Sequence, residues 1–289
     1  MAQQRTTTIT AEAAGIIALG GDLPVRRMGF GAMRITGEGI WGEPDDPEEC
    51  KRVLRRAIQL GVNFIDTADS YGPEVSERLI AEALYPYPEE LVIATKGGLL
   101  RPGPGRWEPD GRPQHLRKAC EGSLRRLRVD QIDLYQFHRP DPKVPFEESV
   151  GTLVELKREG KIRHIGLSNV DVDQLERAQR ITPIVSVQNK YSLADRSSEP
   201  VLADCEERGL VFIPWRPVAD SSDRQGGPLQ EIATRYRATP SQVALAWLLA
   251  HSSATLLIAG TSKVAHLEEN VAAAGLKLTP ADLVSLDHL

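Results

Sequence analysis

What the chain lacks narrows it first. It has three cysteines, Cys50, Cys120 and Cys205, too widely separated to be metal ligands and odd in number for a disulfide framework. Each sits on an apolar helical stripe: Cys50 with Val53, Leu54, Ala57 and Ile58; Cys120 with Leu116, Leu124 and Leu127; Cys205 with Val201 and Leu202. Buried free thiols are expected, and no metal. No segment approaches 18 uninterrupted apolar residues, and the opening MAQQRTTTIT lacks the charged-then-apolar order of a secretory signal. A membrane span and export are therefore not expected, which places the protein in the cytoplasm. Positive charge is not in excess: 35 basic against 40 acidic residues give a net charge of −5, with the basic ones scattered. That speaks against a nucleic-acid or anionic-membrane partner and is compatible with a monomer. Gly29 and Gly31 give a GxG without its third glycine, so the dinucleotide turn of an open doubly wound sheet is missing.

What is present is alternation. The chain of 289 residues, 41% apolar and 26% charged, is long enough to bury a large core as one barrel domain over 1–289. Eight short β-branched or apolar runs, at 27–31, 64–67, 92–96, 132–137, 162–167, 184–188, 211–215 and 256–260, are separated by amphipathic stretches. Helix ends are marked by Asp46 and Pro47, Gly61, Thr239 and Pro240, and Thr279 and Pro280. Eight such units close most naturally as a (β/α)8 barrel. Within the N-terminal 1–26, runs at 16–19 and 23–27 flanking Gly20, Gly21 and Asp22 form a hairpin expected to plug the barrel floor.

In a barrel of this kind, residues at the C-terminal ends of strands build the active site. Asp66 ends the second run, Tyr71 follows within FIDTADSYG, Lys96 ends the third in VIATKGG, and His138 follows the fourth in LYQFHRP. Singly, each has a plain structural explanation as a cap, a wall, a surface charge or a core imidazole. Together on three consecutive strand ends they suit carbonyl reduction. A phenol with a reference pKa of about 10 must release a proton as hydride reaches carbon. Lys96 would stabilise the phenolate, Asp66 would compensate and position the lysine, and His138 would orient the carbonyl.

The ordered motifs GVNFIDTADSYG, VIATKGG, DLYQFHRP, IRHIGLSN, IVSVQNKYSL and IAGTSKVAHLEEN resemble the successive signatures of the aldo-keto reductases, from Met28 onward. The resemblance implies that Asp66, Tyr71, Lys96 and His138 are the catalytic tetrad. It implies that Ser168, Asn169 and Gln188 hold the nicotinamide carboxamide, that Trp215 stacks on the nicotinamide, and that Gly31 is a further cofactor contact. Gly260, Thr261, Ser262 and Lys263 match the site of the adenosine 2′-phosphate at a helix start, and Glu269 and Asn270 the adenine contacts. NADP(H) is the implied cofactor, with NAD(H) left open, because His266 stands where many members carry an arginine. Asp220, near the expected path of the pyrophosphate, would repel it.

Around the nicotinamide, the loop after the first run carries Met33, Arg34, Ile40 and Trp41. A long Pro/Gly-rich loop after the third carries Trp107. Met33, Trp41 and Trp107 are the expected substrate walls; Arg34, Arg101 and Arg106 are either anion partners or solvated. The chain ends soon after the helix beginning near Pro280, so a comparatively open pocket is expected. GAMRITGEGIWGEP, ALYPYPEELVIATK and ATPSQVALAWLLA are similar to a bacterial subgroup that includes pyridoxal reductases, implying an aromatic aldehyde. Two other readings remain: a cofactor-occupied regulatory barrel with little turnover, and a hydrolase or isomerase that would need a second carboxylate near Asp66, for which Asp141 is a poor candidate.

Overall fold

A computed structural model describes residues 9–218 and 227–289. Asp220 lies outside the described residues. A hairpin of β1 (Ile16–Leu19) and β2 (Leu23–Arg26) comes first, antiparallel. Its turn depends on Gly20, which has φ +63°, and a Cβ there would meet the His164 ring at 2.4 Å. Asp22 in the same turn accepts from His164 Nε2 and Arg163 Nη2, each at 2.7 Å.

β3 (Met28–Gly31), β4 (Phe64–Asp66) and β5 (Val92–Gly97) open the barrel. After an outlying pair, β6 (Leu99–Gly103) and β7 (Arg106–Pro109), the barrel continues with β8 (Ile132–Phe137), β9 (Ile162–Ser168), β10 (Ser186–Gln188), β11 (Val211–Phe212) and β12 (Leu257–Ala259). The eight-stranded sheet runs β11-β10-β9-β8-β5-β4-β3-β12, with every pairing parallel. Its two ends meet: Phe212 donates to the Ala254 carbonyl and accepts from Leu256 N, both at 2.9 Å. The sheet thus closes on itself, as the (β/α)8 reading expects.

The interior of the floor is filled by Leu19, Leu23 and Val25 of the hairpin against Phe64, Val92, Leu134, Val211, Ile213, Leu256 and Ile258. The hairpin is therefore the plug that the sequence implied. A second, larger core lies between strands and helices. It contains the three free cysteines, and burial pushes the thiols of Cys120 and Cys205 up to about 12.

The helices begin where the sequence marks them. α1 (Pro47–Gln59) is capped by Asp46, which accepts from Glu49 N, and Gly61 follows its end with φ +81°. α2 (Val75–Leu84), α3 (Pro113–Leu127), α4 (Phe146–Arg158), α5 (Val172–Gln179) and α6 (Glu199–Arg208) follow the next strands. α7 (Pro228–Tyr236), α8 (Pro240–His251), α9 (Val264–Ala272) and α10 (Pro280–Asp287) complete the order. Thr239 and Thr279 form capping boxes at α8 and α10. Among the described residues, no helix is long and apolar enough to cross a membrane.

The segment after β5 differs from expectation. It is an antiparallel hairpin, β6 with β7, rather than an irregular loop. Leu99, Arg101 and Gly103 face inward while Leu100 and Pro102 face out, a period of two that the surrounding prolines and glycines conceal.

Candidate active site

Parallel register brings the functional residues to one rim. Gly31 pairs with Asp66, Lys96 with Gln136, and Gln188 with Ser168. Because a strand alternates its side chains, Asp66, Lys96, Gln136 and Gln188 meet inside the barrel at its C-terminal end.

Lys96 is fully buried and Asp66 is 2% exposed. The Lys96 ammonium donates to Asp66 Oδ1 at 2.5 Å, to the Thr67 carbonyl at 2.8 Å and to the Tyr71 hydroxyl oxygen at 3.3 Å. The other carboxylate oxygen, Oδ2, accepts from Gln136 Nε2 at 2.9 Å and Gln188 Nε2 at 2.8 Å. Burial pulls the ammonium's pKa down, but the Asp66 carboxylate and Tyr71 together outweigh it, and Lys96 is held above its ordinary value. For Tyr71 the balance differs from the sequence argument. Burial pushes the phenol up, the Lys96 charge pulls it back only in part, and the net direction is upward. The phenol therefore stays protonated, and since its oxygen accepts from Lys96, its own proton is left to point elsewhere.

His138 lies across from it, ring centroids 5.9 Å apart at an interplanar angle of 83°. Burial, with the Lys96 charge behind it, lowers the imidazole's pKa well below its ordinary value. Ser70 Oγ is 3.4 Å from His138 Nδ1. Asn169, in the left-handed region at φ +60°, donates from Nδ2 to the His138 carbonyl and to Ser168 Oγ, both at 3.0 Å.

These groups open onto a cavity of about 430 Å³ that Met33, Arg34, Ile40, Leu99 and Trp107 wall on one side and Arg139, Ser168, Asn169, Gln188, Trp215 and Arg216 on the other. A second cavity of about 260 Å³ continues from it. It shares Met33, Arg34, Tyr71, Gln188, Trp215 and Arg216, and runs past Pro217, Val218, Ala259 and Gly260 to Asn270. Trp215 therefore stands between the two, its indole N–H buried and unpartnered. Gly31 and Gly260 both line the continuing trough, and their lack of a Cβ lets the ends of β3 and β12 approach closely: a Cβ on Gly260 would lie 2.2 Å from the Gly31 carbonyl oxygen. Such a trough fits an extended dinucleotide, with an aromatic face at the deep end and backbone approach at the other.

The other residues singled out in the sequence are placed as follows. Trp41 does not line either cavity; it pairs with Gly72 and lies 5.7 Å from the Arg101 guanidinium. Arg101 is neither solvated nor an anion partner. It is 8% exposed and donates to three backbone carbonyls. Arg106 donates to the Pro102 carbonyl. Gln188 is turned by one amide hydrogen onto Asp66 while still lining the trough. Thr261, Ser262, Lys263, His266 and Glu269 lie beyond the cavity lining; His266 is exposed, and Glu269 accepts from Thr239 Oγ1 at 2.6 Å. The first N–H of α9, that of Val264, is taken by the Glu49 carboxylate at 3.2 Å. Asp141 accepts from Gly111 N and Lys143 N, a structural role that removes the hydrolase candidate.

Sequence reasoning missed Gln136, Ser70, Leu99, Arg139 and Glu49. Gln136 was readable: it is the last residue but one of β8, four residues after Ile132 and in step with the inward-facing Leu134. Glu49 was not, since nothing in sequence joins it to Val264.

Residues 27–289 match the Aldo/keto reductase family. The chain belongs to that family. It is 51% identical over 284 residues to an uncharacterized oxidoreductase of Schizosaccharomyces pombe, covering 98% of this chain and 92% of that one. It is 42% identical over 276 residues to pyridoxine 4-dehydrogenase of Escherichia coli, covering 93% and 96%, so the likeness noted for a bacterial subgroup extends to a fungal protein. Among solved structures, an aldo-keto reductase from Klebsiella pneumoniae in complex with NADPH superposes with a TM-score of 0.79 at 27% identity, covering 94% of both chains. The protein is thus an oxidoreductase of carbonyl substrates, of the aldo/keto reductase type.

The depressed basicity of His138 has a consequence for stability. The unfolded chain takes up a proton at this residue near pH 6.5, whereas the folded chain does not. Stability should therefore fall on acidification below pH 6.5, by at most about 1.4 kcal/mol per pH unit from this residue. Urea midpoints between pH 7.5 and 5 are expected to fall more steeply for the wild type than for His138→Gln. Parallel slopes would show that the imidazole is not held neutral.

Proposed function

We propose that the chain reduces an aldehyde to an alcohol with NADP(H), Tyr71 delivering the proton. The observation that carries this reading is the buried Lys96 ammonium, held between the Asp66 carboxylate and the Tyr71 oxygen at the bottom of an open trough. A reduced nicotinamide, when bound, supplies hydride to the carbonyl carbon. Tyr71 gives its proton to the carbonyl oxygen, and the resulting phenolate is stabilised by Lys96 beside it. Since Lys96 is paired by Asp66, no proton has to enter or leave the buried pair. Neutral His138 would direct the carbonyl oxygen toward Tyr71 by carrying its proton on Nε2, the tautomer in which Nδ1 would accept from Ser70 Oγ, 3.4 Å away.

Ser168, Asn169 and Gln188 line the deep cavity where a nicotinamide carboxamide would be held, and Trp215 offers its face to the ring. Gly31, Gly260 and Asn270 line the continuing trough. Thr261, Ser262 and Lys263 follow just before α9, with His266 and Glu269 within it, where a 2′-phosphate and adenine would be met. Met33, Ile40, Leu99 and Trp107 make the carbonyl end apolar and flat-sided. With a pyridoxine 4-dehydrogenase among the relatives, an aromatic aldehyde, pyridoxal foremost, is the substrate we infer. One barrel over 1–289, acting as a monomer in the cytoplasm, completes the reading.

Loss of reduced-nicotinamide absorbance, followed with pyridoxal and with unrelated aldehydes of similar reactivity, tests it. Wild type is expected to turn over pyridoxal fastest, and Tyr71→Phe to lose about 10²–10⁴-fold in kcat while still binding NADPH. Tight NADPH binding without reduction of any aldehyde would instead favour a regulatory barrel.

Glu49 bears on the choice of cofactor. Its carboxylate already satisfies the first N–H of α9 and is held below its usual pKa, first by that Val264 bond and then by Arg52, so it competes with a phosphate for the same donor. Glu49→Gln is expected to tighten NADPH about 3–10-fold, within the range of charge effects at helix starts, and to leave NADH nearly unchanged. Equal effects on both cofactors would separate Glu49 from the 2′-phosphate.

A further inference from the structure

Three segments that overhang the phenol are joined at one side chain. The Arg101 Nη1 donates to the Ser70 carbonyl at 2.9 Å, Nη2 to the Gly39 carbonyl at 2.9 Å, and Nε to the Arg106 carbonyl at 3.0 Å. Gly39 belongs to the loop after β3, Ser70 to the loop that carries Tyr71, and Arg106 to the β6–β7 hairpin. The central carbon of the guanidinium lies over the Trp107 ring, 3.6 Å from its centre, with Trp41 5.7 Å away. Trp107 in turn packs edge-on to Tyr71, centroids 6.3 Å apart, and to His138 at 6.4 Å.

Arg101 has no carboxylate partner within salt-bridge distance among the described residues; carbonyl dipoles and indole faces balance its charge. A buried guanidinium without a counter-ion is an expensive way to staple a loop. A planar fork is what reaching three divergent carbonyls requires, and no other side chain offers it. Ser70, whose carbonyl it holds, immediately precedes Tyr71 and carries the hydroxyl beside His138 Nδ1.

We propose that Arg101 is a positioning residue of the reduction: by fixing Ser70 and Trp107 together it sets where the Tyr71 hydroxyl and the His138 ring point. This rests on the reductase reading above. The role is geometric rather than one of charge alone, so an ammonium in its place should not serve. Misplacement of a proton donor by a fraction of an ångström to 1 Å is enough to slow turnover by up to about 10²-fold.

The test compares Arg101→Lys, Arg101→Gln and, as a control on the same hairpin, Arg106→Gln. The readouts are kcat and KM with the aldehyde that wild type reduces best, and the NADPH dissociation constant from tryptophan quenching. Both Arg101 variants are expected to bind NADPH within about twofold of wild type and to change KM by no more than a few-fold. Their kcat should fall about 10–100-fold, while Arg106→Gln stays near wild type. Should Arg101→Gln fail to fold, Arg101→Lys, which keeps stem and charge, gives the same comparison. Wild-type kcat in Arg101→Lys overturns the proposal, as does a loss of NADPH affinity that matches the loss of kcat. Absence of wild-type turnover would remove the reductase reading and this role together, whereas a normal wild type beside an unaffected Arg101→Lys removes only this role.

Discussion

Two opposite charges, Lys96 and Asp66, sit 2.5 Å apart and almost wholly buried, and much of the rim is arranged around keeping them there. An isolated charge at such a depth would be neutralised; a pair is tolerated only if its remaining hydrogen-bonding capacity is used. Here Lys96 spends its three donors on Asp66, Thr67 and Tyr71, and Asp66 takes two side-chain amides on its other oxygen. Four strands, β4, β5, β8 and β10, thereby converge on one ion pair.

The pair also explains the states of its neighbours. Burial first, and then the charged ammonium nearby, disfavour a positive charge on His138, so its imidazole is neutral. The same ammonium lowers the cost of a phenolate without abolishing the effect of burial, so Tyr71 is a protonated donor in the resting protein. The barrel contributes rigidity: its floor is packed by the N-terminal hairpin, and its sheet closes through Phe212.

The tetrad was legible in sequence because strand-end positions in a parallel barrel are forced into proximity, and inward alternation limits which residues meet. Ser168, Asn169, Gln188 and Trp215 came only from the resemblance to the aldo-keto reductases; nothing in their own local pattern marks them. Arg101 was not legible: a cation in a Pro/Gly-rich segment reads as solvated, and only the tertiary fold shows three carbonyls at its reach. The β6–β7 hairpin was hidden by those same prolines and glycines, and nothing local to Trp41 marks its place 5.7 Å from the Arg101 guanidinium. Glu49 meets Val264 across 215 residues of chain, a contact set by the packing of α1 against α9 that no local pattern encodes.

The account's central claim is that Lys96 and Asp66 act as one unit on the Tyr71 proton. A double-mutant cycle on kcat with Lys96→Met, Asp66→Asn and the double variant measures this directly. The account predicts strong non-additivity, the double variant being little worse than the poorer single one. Losses that multiply independently would contradict it.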